Sequence, residues 1–152
     1  MMYFDQDTMV AGEEALKTVV GEIAEAAPVK IPQVAIEKKM AEIVQAGSIE
    51  AAHLFSDEGL PIAQFASQQN IERDRIAEMA MLLHDVRRMA GLMGGISRLR
   101  EVTIKGENRR KIVFRFFQAF AQQVVLAVVV PPNKAYRQRT NELEKLIVGE
   151  SQ

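Results

Sequence analysis

The chain contains no cysteine and no tryptophan, only two histidines and two tyrosines, and aromatic residues make up 6% of it. Without cysteine there is no disulfide framework, no thiolate nucleophile and no cysteine-ligated zinc or iron–sulfur site, and a reducing compartment is the natural setting. The sequence has no GxxxxGK[ST] segment to cradle a phosphate and no HExxH pair to hold zinc, so neither P-loop hydrolysis nor that zinc chemistry is expected. MMYFDQDTMVAGEEALK lacks a basic region followed by an apolar core, so a cytoplasmic location is expected. The longest apolar stretch, residues 112–130, is interrupted by Arg115, Gln118, Gln122 and Gln123 and alternates like two strands, which argues against membrane insertion.

What is present suits one α+β domain. At 152 residues, 48% hydrophobic and 26% charged, the chain is long enough to bury roughly 70% of its unfolded surface. The net charge of −1 conceals −5 over residues 1–28, +8 over residues 98–139 and −4 elsewhere. Two explanations compete: solvated faces with an acidic segment lying across a basic sheet edge, or a basic surface that steers an acidic partner.

Hydrophobic periodicity organises the chain. Leu16, Val19, Val20 and Ile23 predict a short acidic helix within residues 12–27, and PVKIP then breaks it. Val34, Ile36, Met40, Ile43 and Val44 predict a helix over 33–46 that stops at Gly47. The period then falls to two in SIEAAHLF and IAQFAS, a hairpin around Asp57-Glu58-Gly59, with Pro61 confined to an edge or a first strand position. A long helix is predicted over 71–93, ending at Gly94-Gly95. Three strands follow, LREVTIKG, KIVFRFFQAF and QVVLAVVV, the last central because it is apolar on both faces. In the middle strand Ile112, Phe114, Phe116 and Phe120 share one face. The turns are expected at 106–110, with Gly106 available for positive φ, and at Ala121-Gln122. A helix over 133–148 closes the chain at Gly149.

No catalytic constellation emerges, no metal site is expected and no cofactor is called for. His84-Asp85 are helical neighbours about 100° apart, so they do not pair, and His53 is a lone histidine on an alternating strand. Gly91-Leu92-Met93-Gly94-Gly95 ends a helix, where the macrodipole repels phosphate. Arg115 among phenylalanines resembles a base-stacking strand only superficially, and nucleic acid is not the expected partner. On the long helix, Met89, Leu82, Met93, Val86, Met79, Ala90, Leu83, Ile76 and Ala80 are expected to cover a sheet. Met81 and Leu92 lie beyond that arc beside Asp85 and Arg88, either as tolerated surface residues or as a partner-binding face. In LREVTIKG, Glu101, Thr103 and Lys105 form a polar face and Val102 and Ile104 an apolar one, so as an edge it either resists pairing or recruits a second copy.

SIEAAHLFSDEGLPIAQF, followed at the right distance by IERDRIAEMAMLLHDVRRMAGLMGG and then by the three strands, resembles the roadblock domain family of dynein roadblock light chains and MglB-type regulators of Ras-like GTPases. The resemblance covers residues 33–148. It implies a profilin-like α+β roadblock fold: a five-stranded antiparallel sheet of order 2-1-5-4-3, a long helix on one face and two helices on the other. It further implies a homodimer, or a heterodimer with another roadblock protein, built by pairing third strands, with Arg100, Val102 and Ile104 at that interface. Met81, Asp85, Arg88 and Leu92 would then face a small Ras-like GTPase, which a non-catalytic protein would regulate, GTPase activation included. The alternatives are a structural adaptor that binds a peptide of a larger assembly and, least supported, a small-molecule sensor. Arg87, Arg88, Arg98 and Arg100 are the arginine-finger candidates, although Arg88 is expected to supply affinity more than turnover. Residues 1–32 depart from the family as an acidic extension and linker preceding a domain at 33–149.

Overall fold

The computed structural model describes residues 32–68, 73–96 and 98–151. The extension expected over residues 1–32 lies outside the described residues apart from Pro32. The elements are α1 (Gln33–Gln45), β1 (Ala51–Ser56), β2 (Pro61–Ala66), α2 (Arg73–Leu92), β3 (Glu101–Lys105), β4 (Lys111–Ala119), β5 (Gln122–Val130) and α3 (Arg137–Glu150). The strands form one antiparallel sheet of order β2-β1-β5-β4-β3.

Each face of this sheet acquires a core from the period-two alternation of its strands. On one face, Ala52 and Leu54 of β1, Val113 of β4 and Val124, Leu126 and Val128 of β5 pack beneath Ile36, Met40 and Ile43 of α1 and Leu143 and Ile147 of α3. On the other, Ala51, Phe55, Phe114, Phe116, Val125 and Ala127 pack beneath Ile76, Ala80 and Leu83 of α2. The central β5 is buried from Val124 to Val130, which its β-branched, doubly apolar composition anticipates.

Turn chemistry sets the connections. In the β1–β2 hairpin Ser56 Oγ accepts a hydrogen bond from the Leu60 amide at 3.1 Å, and Gly59 turns the chain at φ +85°. A Cβ on Gly59 would lie 2.7 Å from Met81 Sδ, so both its conformation and its crowding demand glycine. Pro61 opens β2 at the sheet edge, where a missing amide costs no ladder bond.

Four local expectations are corrected. The β4–β5 turn is Phe120-Ala121, one residue early, with both residues left-handed (φ 56° and 59°) as a two-residue hairpin requires. Phe120 therefore leaves the alternation and packs on the α1–α3 face instead of beside Phe116. In the β3–β4 turn the left-handed residue is Arg109 (φ 69°), whereas Gly106 makes room for the Asn108 side chain. Finally, Asn133 at φ 62° delays the last helix to Arg137, and the helix continues through Gly149. Val34 of α1 is exposed because the α1 contact runs along Ile36, Met40 and Ile43.

Candidate functional site

Helix α2 buries much less of itself than its composition suggests. Ile76, Ala80, Leu83 and Ala90 form its buried line. Leu82 (71% exposed), Val86, Met89 (60%) and Met93, all expected to cover the sheet, face solvent. A single helix on a sheet contacts it through one arc. At about 100° per residue these four side chains lie roughly a quarter-turn from the buried line. Their spacing of four, three and four residues makes a continuous stripe of the kind that packs helix on helix. The stripe lies on the β3 side of α2: Met79, on the same flank, lines a cavity of about 500 Å³ with Ile104 and Ile112. Ile104 is itself 40% exposed.

Among the described residues, the strand beside this stripe has no partner along its outer edge. The Phe116 amide donates to the Arg100 carbonyl at 3.0 Å and the Gly106 amide to the Arg110 carbonyl at 2.8 Å, bracketing β3. In an antiparallel ladder hydrogen-bonded pairs recur at every second residue, so Val102 and Ile104 direct their backbone groups to β4. The backbone groups of Glu101, Thr103 and Lys105 point outward. At the opposite edge the Gln64 amide of β2 donates to Glu37 Oε2 of α1 at 2.9 Å, so a carboxylate occupies the place a further strand would take.

The residues expected at the dimer strand divide. Val102 and Ile104 are in β3 with their side chains on the α2 face, while Arg100 precedes the strand and is exposed. Met81, Asp85, Arg88 and Leu92 come together on the other flank of α2, all exposed. Met81 half-covers the Gly59 turn, and Leu92 is 84% exposed. Asp85 and Arg88 lie 3.8 Å apart in solvent, a contact worth little by itself.

Below this flank Arg87, Arg88, Arg98, His84 and Asp57 line a cavity of about 390 Å³. The Arg87 guanidinium stands over the Phe116 ring, 4.4 Å from its centroid, and donates to Gln123 Oε1 at 3.4 Å. Burial pushes the Arg87 pKa down, Asp57 opposes that and Arg98 adds to it. Arg100, the fourth arginine-finger candidate, does not line this cavity.

His53 of β1 is buried and stacked on Phe55, and among the described residues neither ring nitrogen has a hydrogen-bond partner. Burial holds its pKa below the ordinary 6.5; the nearby Gln64 side chain opposes this and the charge of Arg73 reinforces it. His53 is therefore a neutral core residue beneath α2. Among the described residues no group of three His, Cys, Asp or Glu is placed to hold a metal ion, and no helix is long and apolar enough to cross a membrane.

Sequence reasoning missed the Leu82–Met93 stripe as a surface and Glu37 as the guard of the β2 edge. The stripe's spacing was there to be seen. Glu37 carried no local signal, because its partner lies 27 residues away.

No family model and no curated relative matches the sequence. The fold, by contrast, is similar to several solved structures. MglB of Myxococcus xanthus aligns with 79% of this chain and 90% of its own at TM-score 0.67 and 15% identity. A structure described as MglB with tetrameric arrangement aligns with 80% of this chain and 91% of its own at 0.65 and 15%. A Roadblock/LC7 domain from Streptomyces avermitilis aligns with 73% and 90% at 0.59 and 20%. The chain has the roadblock fold.

Proposed function

We propose that this chain is a non-catalytic, cytoplasmic, dimeric roadblock protein that binds and regulates a small Ras-like GTPase. The observation that carries the proposal is the union, among the described residues, of two features on one side of the molecule, the exposed apolar stripe of α2 and the unpaired edge of β3. Water is a poor partner for four apolar side chains aligned along one flank of a helix, and a second copy covers the stripe and satisfies the edge in one association. The tetrameric arrangement described for one MglB structure supports an assembly of this kind. Once the stripe is covered, Met81, Asp85, Arg88 and Leu92 remain at the surface, and two such faces are brought near each other. They are the proposed GTPase-binding residues.

The experiment is a pull-down from the native host with tagged protein, in GDP and in a GTP analogue, beside a Met81→Glu/Leu92→Glu variant. The expected result is a small P-loop GTPase recovered in one nucleotide state and lost with the variant. Recovery of a non-GTPase assembly that ignores nucleotide overturns the regulator reading in favour of an adaptor.

A further inference from the structure

The β3–β4 ladder sets opposite charges across from each other at one end and like charges at the other. Because Val102 and Ile104 direct their backbone groups to β4, Glu101, Thr103 and Lys105 form the non-hydrogen-bonded pairs of the ladder, the kind whose side chains stand closest. At one end Glu101 lies opposite Arg115, and its Oε1 accepts a hydrogen bond from Arg115 Nε at 2.9 Å. At the other end Lys105 lies opposite Lys111. Two like charges directly across a ladder oppose its pairing.

The surrounding fold adds to this mismatch instead of relieving it. Lys105 and Lys111 line a groove of about 510 Å³ together with Lys134 of the β5–α3 connection and Arg137 of α3, and its described lining contains no carboxylate. Among the described residues none of the four cations forms an ion pair. Arg137 stands in the first turn of α3, at the positive end of the macrodipole, and that turn has neither an acidic residue nor a side-chain cap. Lys111 Nζ lies 5.0 Å and Arg137 Cζ 6.0 Å from the centre of the Tyr136 ring. An aromatic face attracts cations but has no net charge with which to cancel them. Glu101, the acid whose charge reaches Arg137, is already held by Arg115, and Glu107 of the β3–β4 turn does not line the groove.

We propose that this groove binds linked phosphates, a pyrophosphate group free or carried on a small molecule, with Lys105, Lys111, Lys134 and Arg137 as its charge partners. One phosphate brings only about −1.5 to −2 charges at pH 7, so two linked phosphates match four cations more closely. The volume is that of a small-ligand site. Tyr136, the one large apolar side chain of the described lining, is buried, so a base finds no exposed ring to stack on and a peptide finds no apolar pocket for a side chain. The groove is on the α1–α3 side of the sheet, away from α2, and the proposal does not depend on the GTPase reading above.

The full chain is titrated with inorganic pyrophosphate by isothermal calorimetry at fixed ionic strength, beside inorganic phosphate, sulfate, a nucleoside diphosphate and a polyglutamate peptide. The expected result is one site per chain, with pyrophosphate bound at least about tenfold more tightly than phosphate or sulfate and the nucleoside diphosphate bound no more tightly than pyrophosphate. Absence of pyrophosphate binding at millimolar concentration overturns the site. Phosphate or sulfate binding as tightly as pyrophosphate overturns the linked-phosphate claim. Tighter binding of polyglutamate overturns it in favour of an acidic peptide, and tighter binding of the nucleoside diphosphate overturns recognition through phosphates alone.

Lys105→Glu supplies the missing acid from within the chain. The side chain is exposed, so the fold tolerates the change. The variant is expected to bind pyrophosphate at least about tenfold more weakly and, without ligand, to unfold at a higher urea concentration, because Lys111 then faces a carboxylate. Lys38→Glu, on the exposed surface of α1, makes the same change of net charge outside the groove and is expected to leave binding unchanged. Undiminished binding by Lys105→Glu, or an equal loss from both variants, overturns the site. An unchanged urea midpoint overturns the premise that Lys105 and Lys111 repel each other.

Discussion

The two sides of this sheet are finished differently. Helices α1 and α3 together close one face, and at its β2 margin Glu37 takes up the Gln64 amide. Among the described residues the other face has α2 alone, with an apolar stripe on its flank and β3 as the outermost strand beside it. Among the described residues, the elements of one region find their partners within the chain, and in the other the same kinds of element do not. An apolar helix flank and a free strand edge are liabilities in a monomer. Their occurrence side by side is what the proposed self-association rests on.

Paired substitutions break this comparison most sharply. Leu143→Ala on the closed face removes a fully buried side chain and is expected to cost about 2–5 kcal/mol in a urea unfolding series. Leu82→Glu on the open side is expected to change protomer stability by less than about 0.5 kcal/mol while abolishing self-association, because its side chain contacts water in the isolated chain. Equal losses of stability from the two would show the faces to be alike.

Acid probes the open face by another route. His53 lies beneath α2 with its pKa depressed, so below pH 6.5 the unfolded chain takes up a proton that the native state refuses. Stability therefore falls as pH drops through 6.5, by up to about 1.4 kcal/mol per pH unit, until the native pKa is reached. Comparing the urea midpoint of the wild type with that of His53→Leu between pH 7 and pH 5 isolates this contribution. Parallel pH curves would show that His53 charges equally easily in both states.

The smallest expected effect tests the closed edge. Glu37→Ala is expected to cost about 1 kcal/mol by freeing the Gln64 amide. It should also raise association above that of the wild type at high concentration, measured by light scattering, since β2 then presents an unguarded edge. Association equal to that of the wild type would show that Glu37 is not what guards it.

Much of the fold was legible because burial follows period. The alternation of Ile112 to Val130, the doubly apolar β5 and the Asp57-Glu58-Gly59 hairpin all placed their elements, and Pro61 marked the edge it begins. The β4–β5 turn was misplaced because Phe120 and Ala121 are poor left-handed residues; pairing along nine residues of each strand imposes the conformation on them. Of the candidate site, Met81, Asp85, Arg88 and Leu92 were legible as one exposed flank. The Leu82–Met93 stripe was mistaken for core.

The sequence by itself determined which residues leave water and at what spacing, and hence the order of helices and strands, because those are local consequences of side-chain chemistry. It could not determine what covers them. A hydrophobic stripe reads the same whether its partner is the chain's own sheet or another molecule, and only the tertiary arrangement decided that α2 spends Ile76, Ala80 and Leu83 on the sheet and leaves Leu82, Val86 and Met89 outside. The two edges were decided in the same way, since a carboxylate at position 37 guards a strand only when the fold brings residue 64 beside it.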